Sequence, residues 1–129
     1  MDICSYIPEI HFNHIKLWLS DRNISEELAK ELPKNSYIAI LGKEFVGAAG
    51  LDIAETYGII CGMITNPKQS FNDRSRAVDL LTIKIIDRAK ELKLKKLIGW
   101  TNHRGIFHRS LKHGFKEINH LMIGMELGE

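Results

Sequence analysis

"NDRSRAVDLLTIKIIDRAKEL", Asn72 to Leu92, is the stretch on which the fold turns. From Ala77 onward, Val78, Leu81, Ile85, Ala89 and Leu92 recur at helical spacing and form one apolar stripe, which predicts an amphipathic helix laid on a core. Its opening is unusual. Asn72, Asp73 and Ser75 each suit a helix start, yet Arg74 and Arg76 place two cations beside the positive end of the helix dipole, where they are mildly unfavourable. Two readings stay open. Either Ser75 or Asp73 caps the helix and the arginines are solvated, or unpaired first-turn N–H groups and two guanidinium groups cradle an anion such as a pyrophosphate.

Upstream lies a polar loop, "NPKQSFNDRS", and before it "YGIICGMIT", a strand apolar on both faces and so central in its sheet. "SYIAIL" and "EFVGAAGLDIA" read as two more strands joined by a turn at Gly42-Lys43. Nearer the N-terminus, "IPEIHFNHIKLWLSD" spaces Phe12, Ile15 and Leu19 as a helix, with Trp18 alongside. "NISEELAKELP" predicts a second helix capped by Asn23 or Ser25 and closed by Pro33. Downstream, "KKLIGWT" is a buried strand, with Trp100 expected in or near the core. "HRGIFHRSLKH" is a short helix ending at Gly114, and "FKEINHLMIGMEL" supplies one or two closing strands. The order predicts an α/β (α+β) chain: one mixed, mostly antiparallel sheet with helices on both faces, in a single domain spanning 1–129.

Composition narrows the function. The 129 residues are 44% hydrophobic and 26% charged, with a formal charge of +2, as expected of a soluble globular protein. That charge tolerates an anionic ligand without announcing a nucleic-acid binder. The basic run Lys90 to Lys96 reads as a solvated face at a helix end. No apolar run approaches the ~18 residues that span a bilayer, and "MDICSYIPEI" has no signal-peptide pattern, so a cytoplasmic protein is expected, or a virion protein if the source is viral. Cys4 and Cys61 match no metal or redox spacing, and His11 and His14 lack a patterned third ligand, so no metal is expected.

The order of elements, the loop–helix junction and "SLKHGFKEI" together resemble the GCN5-related N-acetyltransferase superfamily over roughly residues 36 to 126. In that family the junction carries Q/R-x-x-G-x-G/A, which binds the pyrophosphate of acetyl-CoA. The matching positions here are Asn72, Ser75 and Ala77, with Arg74 and Arg76 between them. Asn102, after "LIGWT", is similar to the family's Asn following its fifth strand. The junction departs from the pattern, with Asn for Gln or Arg, Ser for Gly, and a loop about two residues longer. Short, diverged members occur in phage genomes, and an Ile-, Lys- and Asn-rich chain suits such a source.

The resemblance implies acetyl-CoA as co-substrate and a primary amine, on a small molecule or a protein, as acceptor, in a monomer or homodimer. It places the oxyanion donor on the strand around Met63 to Thr65, with Ile64 at its centre. It also places a general acid where Ser110 stands, a position at which the family often has Tyr. A serine hydroxyl gives up its proton poorly near neutrality, so His108 and His113 are the nearby groups that titrate there. Glu55 and Asp52 are the carboxylates available as base, and Tyr57 is a further candidate acid. The missing Tyr and altered junction leave a second reading: a GCN5-type fold used as a structural or protein-interaction module.

Overall fold

Alternation along two neighbouring strands explains how the sheet is covered. In β2 (Asn35–Leu41), Tyr37 and Ala39 point to one face and Ile38 and Ile40 to the other. β3 (Glu44–Ala54) does the same, with Val46, Ala49 and Leu51 on the first face and Ala48 on the second. The computed structural model of the protein describes residues 1–22, 32–101, 103–118, 121 and 123–128. The second predicted helix and Asn102 lie outside the described residues.

Five strands form one sheet in the order β1-β2-β3-β4-β5, with β1 at Asp2–Ser5, β4 at Tyr57–Thr65 and β5 at Lys96–Ile98. β1 to β4 pair antiparallel, whereas β5 lies parallel to β4, so the sheet is mixed as expected. Gly42 takes φ 62 in the two-residue turn between β2 and β3, a backbone that glycine adopts freely.

Each face carries a helix. Helix α1 (Pro8–Ser20) buries Ile15, Trp18 and Leu19 against Ile38 and Ala48. Helix α2 (Phe71–Glu91) buries Ala77, Leu81, Ile85 and Ala89 against Tyr37, Val46, Ala49 and Leu51. Leu81 and Ile85 have no exposed surface, and truncating either to Ala should cost about 2–5 kcal/mol. Because α2 carries the chain from the end of β4 back to the start of β5, it makes the crossover that a parallel pair needs. Helix α3 (Arg104–Lys112) follows β5.

Four expectations change. The sheet gains β1, a short strand held by the edge of β2. β5 stops at Ile98, and Trp100, beyond it, is 66% exposed rather than in the core. None of the described residues of 115–128 is in a strand; Leu121, Ile123, Met125 and Leu127 are exposed there. Helix α2 also starts earlier than its apolar stripe suggests, because Ser70 is the N-cap and its hydroxyl accepts the N–H of Asp73 at 3.1 Å.

Candidate functional site at the end of strand β4

Strands β4 and β5 pair only from Tyr57–Lys96 to Ile59–Ile98. Beyond that point no described residue pairs with the β5 side of β4, so its Ile60–Thr65 edge is open among the described residues. Within this half the ladder to β3 steps from Ile64 opposite Ala48 to Cys61 opposite Gly50, so Gly62 and Met63 together face Ala49. This is a β-bulge, with Gly62 at φ 63, where a Cβ would run into Leu32. A glycine inside an apolar strand was the available signal for it.

The bulge lies just before the turn into α2. Asn66, buried at 9% exposure, donates its N–H to Val46 O at 2.8 Å and its side-chain amide to Phe45 O at 2.9 Å. Its Oδ1 accepts the N–H of Lys68 at 3.0 Å, which fixes the first bend of the loop. Since Asn66 bonds toward β3, strand alternation directs the N–H group of Thr65 to the open side and that of Ile64 toward β3, up to the bulge at Gly62 and Met63. Ile64 packs with its side chain against the α1 core.

At the start of α2, Phe71 and Asn72 occupy the first two helical positions, where N–H groups have no intrahelical partner. Ser75, Arg76 and Ala77 stand a turn further in, and an α-helix engages their N–H groups with carbonyls four residues back. Ala77 is fully buried among the α2 core residues. Arg74 and Arg76, two apart on a helix, point to different sides. Arg76 and Asn72 are exposed, while Arg74 is half-buried and its Nε is buried with no hydrogen-bond partner.

Arg74 has a neighbour that the sequence did not flag. Arg22, just past α1, donates from Nη1 to Trp18 O at 3.2 Å and from Nη2 to Thr65 Oγ1 at 3.3 Å. Burial first, and then the Arg74 charge, lowers its pKa, with Asp21 acting the other way. Only the fold brings residue 22 to the end of β4, so no local pattern could reveal it.

Helix α3 is moored beside α2 through Asp79, which accepts from Arg109 Nη1 at 2.7 Å and lies 3.1 Å from His113 Nε2. His103 caps α3, its Nδ1 accepting the N–H of Ile106 at 3.3 Å. Ser110 donates its hydroxyl to Ile106 O at 2.7 Å, and the exposed ring of His108 stacks beside Phe107 at 5.7 Å between centroids. Glu55 is exposed, at φ 57 in the turn between β3 and β4. At about 3.3 Å per residue, that turn is roughly 20 Å along β4 from the bulge. Asp52 and Tyr57 lie toward the same end.

Cys61 is half-buried, and burial followed by the Asp52 charge pushes its thiol pKa up. No group of three or more His, Cys, Asp or Glu side chains suited to a metal is present among the described residues, nor is a helix long and apolar enough to cross a membrane.

The sequence matches no protein-family model and no curated protein. Solved structures, by contrast, match over nearly the whole chain. A probable acetyltransferase superposes with a TM-score of 0.75 at 15% identity, covering 100% of this chain and 99% of the other. Rv2747 from Mycobacterium tuberculosis, in complex with CoA, gives a TM-score of 0.74 at 16% identity, covering 96% and 76%. The aminoglycoside N-acetyltransferase AAC(6′)-Iy, in complex with CoA, gives 0.69 at 14%, covering 98% and 95%. These identities speak to architecture alone. The mixed sheet, its two covered faces and these superpositions lead to one conclusion: the chain has the fold of the GCN5-related N-acetyltransferases.

Proposed function

We propose that the protein is an acetyl-CoA-dependent N-acetyltransferase acting on a primary amine. The observation that carries this reading is the open Ile60–Thr65 edge of β4, which runs past a bulge to the start of α2. An extended ligand with amide groups can bond to such an edge as a strand would, and its phosphates can meet the helix start. CoA has both parts, and structures with the same fold hold CoA. In this reading Arg74 and the N–H groups of Phe71 and Asn72 receive the pyrophosphate. Ala77 packs the helix start into the core, and Ser75, Arg76 and Asn102 are further candidate contacts.

The chemistry asks for three things: a neutral amine, a donor for the tetrahedral oxyanion and a proton for the leaving thiolate. The amine nitrogen attacks the thioester carbon, and collapse of the intermediate breaks the C–S bond. The N–H of Met63, in the bulge, is the proposed oxyanion donor in place of Ile64, whose own N–H is directed toward β3. Among the groups named from the sequence, His108 is the proposed proton source, because the Ser110 hydroxyl is committed to Ile106 O. Glu55 stands too far along β4 for a direct part, so solvent takes the proton lost by the amine.

A second reading, the fold kept as an interaction module, draws on that committed hydroxyl and on the absence of Tyr from α3. Thiol release from acetyl-CoA across a broad panel of amines separates the two. The enzyme reading predicts slow, amine-dependent release, slower by about 10²–10⁴-fold than an enzyme with a positioned acid. No release with any amine, from a protein that binds CoA, would favour the module.

A further inference from the structure

The two arginines at the end of β4 come from separate elements and carry the same charge. Arg22 is pinned by its bonds to Trp18 O and Thr65 Oγ1, and Arg74 rises from the second turn of α2 with its Nε buried and without a partner. The Arg74 charge bears on Arg22, a repulsion that an anion lying between them would relieve. The backbone offers such an anion little help at Ser75, Arg76 and Ala77, whose N–H groups are engaged within the helix.

We propose that Arg22 and Arg74 form a two-arginine clamp for a compact polyanion at the end of β4. Taking that anion as the pyrophosphate of acetyl-CoA rests on the function proposed above; the clamp itself rests on the arginine pair. Side chains then do what a glycine-lined loop would do through its backbone. Arg22 lies just past α1, the helix on the sheet face opposite α2, and reaches the end of β4 through Thr65. Charge-assisted bonds from guanidinium groups also make the site more sensitive to salt than a backbone cradle would be.

The test is calorimetric titration with acetyl-CoA and, separately, inorganic pyrophosphate, together with melting curves. The proteins are the parent, Arg22→Gln, Arg22→Lys and, as an exposed-charge control, Lys43→Gln. Arg22→Gln should weaken both ligands by about 10–100-fold with only a small change in the melting temperature of the free protein, because the loss of its two hydrogen bonds is offset by removal of a like charge. Arg22→Lys should recover part of the affinity, and Lys43→Gln should match the parent. If Arg22→Gln melts earlier but binds both ligands as the parent does, Arg22 is only a structural tie and the clamp is overturned. A parent that binds pyrophosphate through Arg22 but not acetyl-CoA would keep the clamp and remove the proposed function. A parent that binds neither at millimolar concentration would overturn both.

Discussion

His11 is 4% exposed within α1, and its Nδ1 accepts the N–H of Ile7 at 2.8 Å, standing in for the side-chain cap that Ile7 cannot supply. Only an unprotonated nitrogen can accept that bond. Burial first, and the neighbouring His14 second, lowers the His11 pKa. The unfolded chain takes up this proton near pH ~6.5 and the folded chain resists it, so below that pH the unfolded state binds more protons. Stability should therefore hold above about pH 6.5 and fall as the pH drops below it, toward the lowered folded value. Melting curves between about pH 7.5 and 5.5 check this, with His11→Gln expected to flatten the profile. An equally steep fall in the variant would assign the effect elsewhere. Local spacing could show that His11 and His14 share a helix. It could not show that Phe45 packs edge-on against both rings, at 5.0 and 4.5 Å between centroids. Arg74 and Arg76 carry the same lesson: they read alike in the sequence, and helix register separates them.

Helix α3 buries no residue fully and depends on polar ties to stay in place. The Arg109 and His113 contacts converge on Asp79, whose side chain is 32% exposed, so solvent screens the pair and its worth is about 1 kcal/mol. Asp79→Ala should lower overall stability by about that much while raising amide exchange chiefly in α3. Uniform exchange along the chain, with no excess in α3, would show that another contact moors it. The elements legible in advance were α1, α2, β2, β3 and β4, through long periodic patterns, and β5 and α3, through shorter ones. β1 escaped notice because four residues carry too little alternation to read, and it is a strand only because β2 offers an edge. The start of α2 was misplaced because Ser70 lies outside the apolar stripe that marks the helix. The stretch "FKEINHLMIGMEL" was expected to supply closing strands, but an apolar stretch makes a strand only where a partner pairs with it, and none of its described residues is in one.

For the whole molecule, a mixed sheet covered on both faces was legible because strand alternation, helix periodicity and the order of elements all agreed. The candidate site was legible only in part. The β4–α2 junction could be found from its basic turn, but the opening between β4 and β5 depends on where β5 stops. The contribution of Arg22 depends on how α1 lies across the sheet, which no short motif encodes. In the proposed function, this junction and open edge hold acetyl-CoA. Thermal melting of the parent with acetyl-CoA, against acetate and pantetheine at the same concentrations, tests it most directly. The melting temperature should climb as acetyl-CoA is raised above its Kd, by mass action on the folded state, and barely move with the other two. No shift at millimolar acetyl-CoA would contradict it.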